Sequence, residues 1–222
     1  MSFSKALRRE VMNYVATHNP SAYIPYHNNA HLEGVLKIST DLYSSECKVQ
    51  SVKGLCTLTL AAMFHDFDHS GGTRADSVNI DYAIAGLQEF YHQRSRYLAR
   101  LRNRHPRLHS GILAAAKNAI ACTVYPFTVE PKTLVEKCLR DADILYACLS
   151  GDPRVVAEDL RSEMEISQGN PISNAQLLAQ QKQFAKNARL YTATGRQWWD
   201  EHTPRYIAKL EVFLNTSLTD HE

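Results

Sequence analysis

The thirteen consecutive residues from Val52 to Phe64 are nearly all apolar or small. A helix that is apolar all round cannot lie on a surface, so other elements must enclose it. The run is longer than a usual strand and well short of the ~20 residues a membrane span needs. Its Thr57-Leu58-Thr59-Leu60 alternation keeps a strand open as the alternative. Helical periodicity elsewhere supplies the enclosure. Leu7, Val11, Tyr14 and Val15 recur at three- and four-residue spacing over residues 4–17, and His31, Val35, Ile38 and Leu42 do so over 27–45. Ser70-Gly71-Gly72-Thr73 stops the buried run. Further helices are predicted over 76–103, 108–122, 131–149, 153–168, 173–192 and 203–216, each bounded by Pro, Gly, Asn or Ser. No run of strands, internal repeat or low-complexity linker interrupts the series. At 222 residues and 44% hydrophobic, the expectation is a single all-α domain over residues 1–222, a compact helical bundle.

Bulk properties narrow the function classes. A formal charge of +2 gives no ground for a nucleic-acid or anionic-membrane partner. Five cysteines without CxxC spacing suggest reduced thiols, more suited to core filling than to ligation. The opening Met-Ser-Phe-Ser-Lys-Ala-Leu-Arg-Arg-Glu is charged where a signal peptide would be apolar, so a cytoplasmic location is expected. Ten histidines direct attention to acid–base or metal chemistry.

Three constellations carry that chemistry. Tyr26-His27-Asn28-Asn29-Ala30-His31 sets two histidines four apart, able to face one pocket if helical. His65-Asp66-Phe67-Asp68-His69 ends the buried run, with His65 and His69 sharing a face if the helix continues. An acid between histidines on so apolar a segment is costly unless compensated, and a bound cation compensates it. Arg140-Asp141-Ala142-Asp143 opens another apolar stretch, where its acids could equally serve a helix N-terminus.

In this combination the chain resembles the HD-domain metal-dependent phosphohydrolases. Within that group, Tyr26-His27-Asn28-Asn29-Ala30-His31 followed by His65-Asp66-Phe67-Asp68-His69-Ser70-Gly71 is similar to the catalytic domain of class I cyclic nucleotide phosphodiesterases. Downstream, Ala142-Asp143-Ile144 matches the family's metal aspartate, Met164 to Asn170 its Gln-Gly-Asp segment, and Gln181-Lys182-Gln183-Phe184 its base clamp. The matches run in family order over a core of about residues 26–184. Ser70 stands where the family has Pro, and Tyr146 where Asn often lines the pocket. The chain is also shorter than the usual catalytic domain, which implies reduced pocket walls.

The resemblance implies a helical bundle of the HD/cyclic nucleotide phosphodiesterase type. His31, His65, Asp66 and Asp143 would hold a first metal, with Asp66 bridging to a second. Zn, Mn or Fe suits the tight site and Mg or Mn the other. A metal-bridging hydroxide would attack phosphorus, His27 would protonate the leaving alkoxide, and His69 would orient a metal-bound water or ligand. Tyr26, Gln181 and Phe184 would line the pocket of a small-molecule nucleotide substrate. The implied activity is metal-dependent hydrolysis of a 3′,5′-cyclic nucleotide or related cyclic nucleotide signal. The alternatives are an HD-type hydrolase of nucleoside mono- or triphosphates, a di-iron HD oxygenase, and a non-catalytic nucleotide-binding module.

Two features fall outside this scheme. Arg94, Arg96, Arg100, Arg102, Arg104 and Arg107 lie in a segment without acids, four of them at helical spacing. The stripe reads as a solvated helix face or as a holder of phosphates. Trp198-Trp199 reads as packing material.

Overall fold

The segment Val52–Phe64 forms a helix, α3, and not a strand. Ser51 starts it, its Oγ accepting the Gly54 N–H at 2.9 Å. Every residue from Cys56 to Phe64 is buried, Thr57 and Thr59 included. Around it pack α1 (Phe3–His18), α2 (Asn29–Glu46), α4 (Asp76–Glu89), α6 (Pro106–Ala121) and α7 (Leu134–Leu149). Truncating a fully buried leucine such as Leu58 or Leu60 to alanine should cost about 2–5 kcal/mol, because so enclosed a site cannot collapse. The computed structural model describes residues 3–149 and 152–216, all-helical with no strand among them.

A second, smaller apolar cluster joins α8 (Pro153–Gln168), α9 (Asn174–Asn187) and α10 (Ala193–Thr216) through Val156, Ala157, Leu177, Tyr206, Leu210 and Leu214. Trp198 and Trp199 are half-buried against the main core. Cys56, Cys122 and Cys138 are buried free thiols. Burial pushes the Cys56 and Cys122 thiols up to about 11, so they stay protonated and make poor ligands near neutral pH.

Three expected helices differ from those observed. The stretch 76–103 breaks: Phe90–Arg94 forms a π-helical turn, Ser95 turns extended, and α5 (Arg96–Arg104) begins anew. The cause lies far away in sequence. Glu10 accepts the Ser95 hydroxyl at 2.6 Å and the Arg96 N–H at 2.8 Å, while Ser95 Oγ caps the Leu98 N–H. Helix α9 stops at Asn187, because Tyr191 and Thr192 are drawn to Asp141. Helix α10 starts ahead of the expected 203–216, with Pro204 inside it.

Candidate metal centre

The chain Asn28–His31 is organised by a helix cap. Asn28 Oδ1 accepts the Ala30 N–H at 2.8 Å and the His31 N–H at 3.3 Å, and its amide donates to the Ile24 and Pro25 carbonyls. His31 therefore stands in the first turn of α2, and His27 lies outside the helix altogether. The shared helix face expected for this pair is replaced by a loop carrying His27 beside the helix that carries His31. The same correction applies at α3, which ends at Phe64, so His65 and His69 reach the site across a turn.

His31, His65, Asp66 and Asp143 come together, one potential ligand atom from each lying within 4.8 Å of all the others. The Nε2 atoms of His31 and His65 are 3.2 Å apart. Asp66 Oδ2 is 3.1 Å from both, and Asp143 Oδ1 is 3.4 and 3.6 Å from them. His65 Nδ1 lies 2.8 Å from the Ala62 carbonyl and donates to it, which turns a lone pair at Nε2 into the cluster when the ring is neutral. Acceptors thus converge from four sides. Burial opposes charge on His31 and His65, yet the two aspartates outweigh it and raise both rings. Burial likewise opposes charge on Asp66 and Asp143, and the imidazoles outweigh it and hold both carboxylates low. Protons alone would leave two N–H groups confronting each other 3.2 Å apart. A divalent cation satisfies all four groups at once, and a mixed nitrogen and oxygen set suits Zn, Mn or Fe.

Beside this cluster lies a second group of His27, His69 and Glu163. His27 Nδ1 is 2.5 Å from Glu163 Oε2, and Glu163 Oε1 accepts the Tyr26 and His27 N–H groups at 2.7 and 3.0 Å. Burial works against the Glu163 carboxylate, but His27 and these backbone donors outweigh it and hold it below its usual range. The His27 ring centre is 5.4 Å from that of His31 and 3.9 Å from that of His69. His69 Nδ1 accepts the Gly71 N–H at 3.1 Å, which leaves the proton on Nε2, 3.8 Å from Asp76 Oδ1. This favours His69 as a donor over a ligand. Gly72 brings the turn against α8: φ is +94°, and a Cβ would lie 2.8 Å from the Glu163 carbonyl.

Two tyrosines wall the site. Tyr146 stands edge-on to His31, ring centres 4.5 Å apart, and Gly34 makes room, since a Cβ there would lie 2.3 Å from the Tyr146 ring. Tyr26 is 5.1 Å from His31 and packs on the second cluster. Burial and the nearby Asp143 keep its phenol well above the usual value, so it remains a neutral O–H. Tyr206 of that cluster donates to Gln181 Oε1 at 3.3 Å. Phe184 turns elsewhere, packing on the main core with its ring 6.4 Å from Tyr125. Gln181 thus meets the second cluster and Phe184 the main core.

The Arg140–Asp143 turn of α7 divides its work. Arg140, fully buried, donates to the Cys122 and Val129 carbonyls and lies 3.9 Å from the Phe127 ring centre. Asp141 accepts the Tyr191 N–H and both Thr192 donors, and Asp143 reaches His31 and His65. Glu163 escaped the sequence reading. A signal existed, since it falls on the same face of α8 as Val156 and Leu160, where an acid needs a partner. Comparisons with protein-family models, curated proteins and solved structures return no match.

Proposed function

We propose that this chain is a metal-dependent phosphodiesterase acting on a 3′,5′-cyclic nucleotide or a related cyclic nucleotide signal. The observation that carries the reading is the His27–Glu163 pair standing next to a separate His31/His65/Asp66/Asp143 set. A hydrolytic metal centre needs its ligands, and an alkoxide leaving group additionally needs an acid. Divalent ions, when bound, supply a water of lowered pKa and offset charge on phosphoryl oxygens. The four residues would hold one ion, and the family resemblance adds a second sharing Asp66. Glu163 orients the His27 ring with Nδ1–H toward the carboxylate, which leaves Nε2 to hand a proton to the departing oxygen. The His27 side chain is 24% exposed, so it can meet substrate, whereas Glu163 behind it is 5% exposed. Tyr26 and Tyr146 offer aromatic surface to a nucleotide beside the metal.

The test has two parts. A panel of cyclic mono-, di- and trinucleotides, nucleoside monophosphates and triphosphates, each with Mg, Mn and Zn, should give turnover on a cyclic nucleotide. Turnover confined to monoesters or triphosphates would replace this reading with that of a nucleotide phosphohydrolase. In the second part, His27→Ala should lose about 10²–10⁴ in rate on the cyclic substrate and far less on bis(p-nitrophenyl) phosphate, whose aryl leaving group needs little protonation. Equal losses on both would remove the acid role.

A further inference from the structure

The near-balanced net charge conceals a segregated distribution. Residues 90–129 hold seven of the 25 basic residues and none of the 23 acidic ones. Most of that charge is on α5 and the turn into α6, where Arg96, Arg100, Arg102, Arg104 and Arg107 are all exposed. None of these five forms an ion pair or side-chain hydrogen bond among the described residues. The acids that could have neutralised them are engaged: Glu89 pairs with Arg94 at 3.0 Å, and Glu10 is held by Ser95 and the Arg96 backbone. Leu98 and Leu101 pin the opposite face of α5 to the core, so the arginines cannot turn inward.

Arg96, Arg100 and Arg104 succeed one another about 6 Å apart along one face, commensurate with successive phosphates of a nucleic-acid strand. All five residues are arginine, whose planar fork matches phosphate oxygens and stacks on bases. A lipid surface would reward an apolar anchor, and among the described residues α5 exposes no large aliphatic side chain; Leu108, in the first turn of α6, is exposed. At its α6 end the ridge lies away from the candidate metal centre. Gly111 of α6 faces Lys53 at the start of α3, whereas His65 is at its end, about 18 Å along the axis.

We infer that this arginine ridge binds the sugar–phosphate backbone of a nucleic acid, at a surface separate from the metal centre. Binding there is led by charge and tolerant of sequence.

The test uses the full chain and a fluorescein-labelled single-stranded oligoribonucleotide, followed by fluorescence anisotropy between about 50 and about 200 mM salt. Engagement of three to four phosphates should give a slope of log K against log salt of roughly −2 to −3. Arg96→Gln/Arg100→Gln/Arg104→Gln should weaken binding at least about tenfold at the lowest salt and flatten the slope by about 2. The corresponding triple lysine variant should keep most of the slope, and Arg100→Gln alone should flatten it by about 0.7, should the triple glutamine variant fold poorly. Hydrolysis of a cyclic nucleotide should be unchanged in all of them, since none touches the metal centre. No binding at the lowest salt, or binding undiminished in both glutamine variants, would overturn the inference. So would capture by phosphatidylserine vesicles without oligoribonucleotide binding, which would assign the ridge to a membrane surface instead.

Discussion

Asp66→Ala should abolish hydrolysis of every substrate the chain accepts, a loss of at least about 10³ in rate measured at saturating metal. Its Oδ2 lies 3.1 Å from both imidazole Nε2 atoms, so its removal takes away a potential ligand and the nearer of the two carboxylates facing the rings. Asp66→Asn keeps the shape without the charge and should fail almost as completely. Rates within threefold of wild type in a metal-replete Asp66→Ala protein would show that the cluster is a buried ion-pair network with no part in catalysis.

Asp141→Ala should have the opposite profile. Asp141 is fully buried and accepts three hydrogen bonds, from the Tyr191 N–H, the Thr192 N–H and the Thr192 hydroxyl. Truncation would strand these donors at about 1–3 kcal/mol each, and partial relaxation brings the expected total to about 3–5 kcal/mol. The readout is the urea midpoint of the variant against wild type, with metal content measured on the folded fraction. Metal should stay bound wherever the chain is folded. A wild-type midpoint together with lost metal would exchange the roles of Asp141 and Asp143.

Those two aspartates illustrate what a sequence can yield. By local pattern either could have been a ligand or a helix-terminal acid; the family resemblance favoured Asp143, and in the fold residues 191–192 engage Asp141 while Asp143 faces His31 and His65. Asp141 also crowds the start of α10, where a Cβ on Gly195 would lie 2.5 Å from its Oδ2. The body of the central helix was legible, because a nearly all-apolar run of thirteen residues leaves few choices, but its end was not: the run was expected to stop at Ser70-Gly71-Gly72-Thr73 and the helix ends at Phe64. Helix α8 was legible from Pro153 at its first turn to the left-handed Gly169 at its end. The break within 76–103 was hidden because apolar periodicity continues through it, while its cause, Glu10, sits on another helix. For the site, residue types and spacing offered His27 with His31 and His65, Asp66 and His69 as local groups, since a carboxylate after so apolar a segment demands compensation, while the four-residue ligand set was what the family resemblance implied. The partner of His27 was not legible in the same way. Glu163 lies 136 residues away, and its approach depends on the Gly72 turn packing on α8.

Metal stoichiometry tests the centre most directly. Chelator-stripped protein, dialysed against Zn or Mn and then desalted, should retain about one ion per chain by plasma mass spectrometry, the number four converging ligands can hold. His31→Ala and Asp143→Asn should each bring that retained ion close to zero while leaving the helical circular dichroism intact. Wild-type protein that retains no divalent ion after either treatment, or variants that retain as much as wild type, would contradict a metal centre at His31, His65, Asp66 and Asp143.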